Sequence, residues 1–175
     1  MLILVTGGAG FIGSNLVRRL LEDGADVRIL DDFSTGLWSN IERLNVDLRE
    51  GCLTDADFVA EAVAGTDSVV HLAARGSVPR SIADPRQTHE VNATGTLNVL
   101  EAVRKQGAQI IFSSSSSVYG SNTSLPKSED MWTQPLSPYG ASKMAAESLV
   151  MSYREVYGLD ALALRFFNVY GPLQR

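Results

Sequence analysis

The sequence predicts an α/β fold built on a parallel sheet of about six strands. Apolar runs rich in β-branched residues alternate with helix-period stretches from one end of the chain to the other, the pattern of strands joined by crossover helices. A glycine-rich turn separates the first run from the first helix, and 45% hydrophobic with 20% charged residues over 175 positions is enough for one buried core. The strands are expected at residues 2–6, 26–30, a weaker 47–50, 68–72, 109–113 and 161–167. Helices are expected at 11–23, 37–44 (short), 55–63, 85–106 and 139–157. The fourth helix starts where Asp84 can cap free amides and Pro85 presets φ, and Gly107 ends it. Residues 120–137 are rich in Ser, Pro and Thr without periodicity, which predicts a long loop of the kind that often carries function. No internal repeat or linker divides the chain.

Composition narrows the function classes. Lys and Arg total 15 against 20 Asp and Glu, a net charge of −5 with no basic run, which argues against a nucleic-acid partner. Cys52 is the only cysteine, so no intramolecular disulfide and no metal-ligand cluster is expected, and a cytoplasmic, reducing location fits. The opening residues are apolar but lack a basic flank and reach glycine after six positions, too soon for a signal peptide or a membrane span. No membrane partner is expected.

Three groups of residues carry chemistry. Gly7, Gly10 and Gly13 lie between the first strand and first helix, where glycine lets the backbone approach a pyrophosphate at the positive helix end. The alternative is a turn needed only for close helix–strand packing. Asp31 ends the second strand, at the distance where a carboxylate accepts both ribose hydroxyls of an adenosine; Asp31 and Asp32 would repel a 2′-phosphate, favouring NAD over NADP. Its alternative is a solvated acidic turn. Tyr139 and Lys143 share one helix face a turn apart. A free tyrosine titrates near about 10, so a tyrosine base needs a positive neighbour, and Lys143 supplies one. Alone, the same spacing also fits an ordinary amphipathic helix.

Taken in order, these residues resemble the extended short-chain dehydrogenase/reductase family, with a Rossmann-type doubly wound sheet. The resemblance rests on Thr6-Gly7-Gly8-Ala9-Gly10-Phe11-Ile12-Gly13, Asp31 to Gly36, His71-Leu72-Ala73-Ala74, Asn92, Phe112 to Gly120, Ser137 to Lys143 and Arg165 to Pro172. It is strongest to NAD-dependent nucleotide-sugar 4-epimerases acting on UDP-glucose, UDP-galactose or UDP-glucuronate. It implies a catalytic set of Ser115, Tyr139 and Lys143 and no metal. It implies NAD held by Gly7, Gly10, Phe11, Ile12, Gly13, Asp31, Asp32, Ser34, Thr35, Gly36, Leu53, Leu72, Ala73, Ala74, Arg75, Asn92, Ser113, Tyr139, Lys143 and Phe166. A nucleotide sugar would meet Ser77, Ser115, Ser117, Tyr139 and Asn168, with Ser114 alongside. Arg75, Ser77 and Arg80 could face an anion, although surface arginines are common. His71 looks structural, and the strand-end capping role fits Ser116. Cys52 stands where relatives carry an Asp that contacts adenine, which leaves the Leu53 backbone and apolar surroundings to hold the base. Dehydratases and decarboxylases of the family carry a carboxylate just before Val118-Tyr119-Gly120, where this chain has Ser116 and Ser117, so epimerisation is favoured.

The family continues past Arg165 to Pro172 into a smaller substrate domain. Residues 1–175 are therefore expected to be the NAD-binding half of a truncated enzyme, with that smaller domain absent and the activity of this chain alone in doubt. A dehydratase or reductase of the same family and a non-catalytic NAD-binding module are the alternatives. Family members pair through helices matching 85–106 and 139–157, which implies a homodimer.

Overall fold

The computed structural model describes residues 1–174. Six strands form one sheet in the order β3-β2-β1-β4-β5-β6: β1 (Leu2–Thr6), β2 (Asp26–Asp31), β3 (Asp47–Glu50), β4 (Ser68–His71), β5 (Gln109–Ser115) and β6 (Ala161–Phe166). Every pairing is parallel. The order reverses between β1 and β4, and at such a switch point the strand ends open into a crevice.

The strands read as continuous apolar runs because both faces are covered. Ile3, Val5, Val27 and Ile29 pack with Val17 of α1 (Phe11–Glu22) on one face. Leu4, Leu30, Val69, Ile110 and Phe112 pack on the other face. There they meet α2 (Ala56–Val63), α5 (Gly95–Gln106) and α6 (Pro138–Tyr157). Adjacent residues such as Leu4 and Val5 thus fall into different cores, as a two-residue period requires.

The expected helix at 85–106 is one continuous rod with a fault in it. It runs as α4 (Pro85–His89), a π-turn (Glu90–Thr94) and then α5. Asp84 caps it, its carboxylate accepting from Gln87 N, and Gly107 ends it at φ +74°. A short helix that periodicity did not show, α3 (Val78–Ala83), precedes it, capped by Ser77. The expected helix at 37–44 is only a 3-10 turn, Trp38–Asn40. Strands β2 and β5 run longer than expected, and β5 continues through Ser115 because Ser113 to Ser115 pair with Leu164 to Phe166.

Residues 120–137 form the irregular loop that their composition predicts, and its stem is closed tightly. Ser121 N donates to Gln134 O, and Asn122 Nδ2 donates to Trp132 O. Gly120 sits at φ +50°, where an added Cβ would lie 1.8 Å from Gln134 O. Gly65, at φ +78°, has nothing within 4 Å of the same position. Gly65→Ala should therefore cost about 1–2 kcal/mol for the left-handed backbone alone, and Gly120→Ala at least about twice that. Thermal unfolding of the two variants measures the difference; equal losses would mean that the stem yields freely.

Candidate active site

A groove of about 340 Å³ crosses the C-terminal ends of five strands. Its wall takes Gly7 after β1, Asp31 at the end of β2, Gly51 to Leu53 after β3, Leu72 to Arg75 after β4, and Ser113 in β5. The glycine turn is as close as its residue type permits: a Cβ at Gly13 would lie 2.1 Å from Gly7 O, and one at Gly7 would lie 2.9 Å from Ala73 Cα. Helix α1 starts there with no side chain capping its first amides and no acidic residue in its first turn. Free amides and the positive helix end thus face the groove, an arrangement that suits a phosphate.

The two ends of the groove differ in charge. At one end the Asp31 carboxylate accepts from Ala9 N and Phe33 N, both at 2.9 Å, which ties the glycine turn to β2. Burial pushes its pKa up, against the opposing pull of those amides. At the other end Arg75 donates to Gln87 Oε1, while its buried Nε has no partner. A cradle that added Cβ atoms would fill, an acidic ribose end and an unspent guanidinium donor together fit a dinucleotide.

Next to the Arg75 end stands the polar set at the end of β5. Lys143 of α6 is only 3% exposed, and its Nζ donates to Ser113 O at 2.7 Å. Burial draws its pKa down to about 8. Tyr139 lies one turn earlier on the same helix, half-buried. The first turn of α6 abuts the turn after β5, since a Cβ at Gly140 would lie 2.8 Å from Ser117 O. Ser115 Oγ accepts from Ser117 N at 3.1 Å, so the capping role expected of Ser116 belongs to Ser115.

A buried line of hydrogen bonds supports this corner. Thr96 Oγ1 donates to Asn92 O at 2.6 Å and so must receive the proton of His71 Nε2 at 2.9 Å. His71 Nδ1 is left to accept from Thr6 Oγ1 at 2.7 Å, while Thr6 Oγ1 accepts from Ala73 N. Asn92 Oδ1 accepts from Arg75 N at 2.7 Å, and its Nδ2 donates to Ser142 Oγ at 3.0 Å. Ser142 in turn donates to Tyr139 O at 2.8 Å. His71 is structural and neutral, its pKa held to about 3 by burial and secondarily by the Lys143 charge.

Most of the expected cofactor residues line the groove: Gly7, Gly10, Phe11, Ile12, Gly13, Asp31, Asp32, Ser34, Thr35, Leu53, Leu72, Ala73, Ala74, Arg75 and Ser113. Gly36 stands behind it, where a Cβ would lie 2.8 Å from Asp31 Oδ1. Asn92, Tyr139, Lys143 and Phe166 are not in its wall. Ser114, expected beside Ser115, turns to the opposite side and donates to Glu147, which is paired with Arg165 at 2.7 Å. Ser77 spends its hydroxyl on capping α3, and Asn168 is exposed in the segment after β6. Sequence reasoning missed Gln87 and Val91 in the wall, while Cys52 lines the groove beside Leu53, in keeping with a position where relatives contact adenine. Among the described residues no group of His, Cys, Asp and Glu could hold a metal ion.

A doubly wound sheet, a glycine cradle at its switch point and a Tyr-x-x-x-Lys helix beside it define a dinucleotide-binding domain of the short-chain dehydrogenase/reductase type. The chain belongs to the NAD dependent epimerase/dehydratase family, whose model matches residues 3–175. A putative UDP-glucose 4-epimerase of Methanocaldococcus jannaschii is 41% identical over 99% of this chain and 57% of its own length. The UDP-glucose 4-epimerase of Thermotoga maritima, solved with UDP-glucose, superposes with a TM-score of 0.95 at 38% identity over 100% of this chain and 58% of that one. The Thermus thermophilus UDP-glucose 4-epimerase in complex with NAD gives 0.92 at 41% identity, again over 100% and 58%. The chain thus spans little more than half the length of these relatives.

Neutral His71 makes a signed prediction. An unfolded histidine takes a proton near pH 6.5, whereas the native one does so only at about 3. Its contribution is complete above the upper value and is lost as pH falls through this window, with a slope of up to about 1.4 kcal/mol per pH unit. His71→Asn should flatten that part of the stability curve in urea unfolding between about pH 7 and about pH 4. An unchanged slope would assign the acid loss to other groups.

Proposed function

We propose that the protein is an NAD-dependent nucleotide-sugar 4-epimerase of the UDP-glucose, UDP-galactose or UDP-glucuronate type, an isomerase acting by transient oxidation at the sugar C4. The observation that carries this reading is buried Lys143 bonded to the β5 backbone, one helix turn after Tyr139, beside a groove that suits a dinucleotide. The relatives that bind UDP-glucose and NAD support it. The residues here are read as the cofactor domain, with the sugar nucleotide completed by a smaller domain of the kind the longer relatives have room for.

Bound NAD supplies reversible hydride transfer at the sugar carbon. The glycine turn and the free amides of α1 hold its pyrophosphate, and Asp31 accepts the ribose hydroxyls. Tyr139 takes the proton of the 4-hydroxyl and returns it after the keto sugar has turned over. The Lys143 ammonium favours negative charge on the phenolic oxygen, and the Ser115 hydroxyl shares the travelling proton. Ser77, Ser117 and Asn168 are assigned to the sugar nucleotide. Without a carboxylate at 116 or 117, no side chain there drives loss of water, which favours epimerisation over dehydration.

Incubated with NAD and UDP-galactose or UDP-glucuronate, a full-length form that includes the smaller domain is expected to yield the 4-epimer with no net NADH. Tyr139→Phe should reduce turnover by at least about a hundredfold while calorimetric NAD affinity stays within about threefold. NAD binding by a full-length form that epimerises no nucleotide sugar would overturn the reading.

A homodimer is also proposed, on a shallow groove between the faulted helix and α6 lined by His89, Ala93, Thr94, Leu97, Ala145, Ser148 and Leu149. Ser148→Arg should shift sedimentation from dimer to monomer; a dimer that persists would place the contact elsewhere. No described helix is long and apolar enough to cross a membrane, and the free thiol of Cys52 fits a cytoplasmic location.

A further inference from the structure

We propose that the ring of Phe112 is the counter-group of the Lys143 ammonium, holding the charge at the end of β5 in place of a carboxylate. The Lys143 Nζ lies 4.9 Å from the centroid of that ring, within the range of a cation–π contact. Phe112 is fully buried, so water does not screen the contact. Lys143 forms no ion pair among the described residues, and its hydrogen bond there is the one to Ser113 O. An ammonium has three donors, so one is spent on the backbone and the others remain for the site.

Of the ionisable groups on the surrounding elements, His71 carries no charge and Glu147 has other partners. His71 of β4, its ring 5.6 Å from that of Phe112, is neutral between Thr6 and Thr96. Tyr139 precedes Lys143 by a turn on α6. Glu147 lies a turn beyond Lys143 and is engaged by Arg165 of β6 and by Ser114 of β5. Burial by itself disfavours the charged lysine and holds it at about 8. An aromatic face offsets part of that penalty without introducing an anion that would compete for the substrate proton. The benefit to catalysis rests on the epimerase reading, but the contact itself does not.

The test needs no turnover. The chain has three lysines, Lys105, Lys127 and Lys143. With 13Cε-labelled lysine, the Lys143 signal is assigned by its loss in Lys143→Arg, and exposed Lys105 serves as the reference. Phe112 is then replaced site-specifically by mono-, tri- and pentafluorophenylalanine, which nearly keep the ring's shape while withdrawing its π density. The Lys143 midpoint should fall stepwise along the series by about 0.5–1.5 pH units in all, with Lys105 constant. Phe112→Leu should lower it as well. A midpoint that stays level or rises along the fluorinated series overturns the proposal, whether or not the protein epimerises a sugar.

Discussion

The active corner depends on a hydrogen-bonded line that never reaches water. It starts at Thr6, the last residue of β1, and passes through His71, Thr96, Asn92 and Ser142 to the backbone of Tyr139. Four of these side chains belong to elements that also build the core. Removing one partner would strand a buried polar group, a loss that exceeds the modest net value of the bond itself. The direction of each proton is set by the donors available, so only the Nε2–H tautomer of His71 satisfies both threonines. The glycine turn and the tyrosine helix are thus joined through the inside of the sheet rather than across the open groove.

Charge is distributed along the groove as unevenly as its proposed ligand would require. The Asp31 end already carries two backbone amides on its carboxylate, so the same side chain both fixes the turn and borders the groove. Beyond the Arg75 end lies Lys143, a cation with almost no exposed surface. Between them the wall is mostly glycine, alanine and leucine, which let backbone amides rather than side chains meet a phosphate. Glu147 and Arg165 pair beside β5 and engage the Ser114 hydroxyl, while Ser113 and Ser115 point to the other face of the strand.

Much of this was legible in the sequence, for reasons that are local. The strands show because burial on both faces demands unbroken apolar runs, and the glycine spacing shows because the turn tolerates no Cβ at Gly7 or Gly13. Other features depend on residues far apart in the chain. Ser115 caps its turn instead of Ser116 because β6 extends the pairing to that point. Ser114 turns toward Glu147, a partner 33 positions away that nothing in the serine run announces. Helix α3 is six residues long, too short for a period to appear. Gln87 and Val91 lie far from the glycine turn in sequence, and only the packing of the faulted helix beside β4 brings them into the groove wall.

The wide turn at Glu90–Thr94 has a consequence for the evolution of the chain. A turn of this kind holds one residue more than a regular helix, and each residue of a helix advances it by about 100°. Loss of a single codon within this stretch would give a smoother helix but would rotate one half of the rod against the other. Either Asn92 would keep facing Arg75 and Ser142, or Val99, Leu100 and Val103 would keep facing the sheet, but not both. The irregularity is therefore a phase adjuster between a packing frame and a chemical one, and descendants of this gene should change length there far less readily than in residues 120–137.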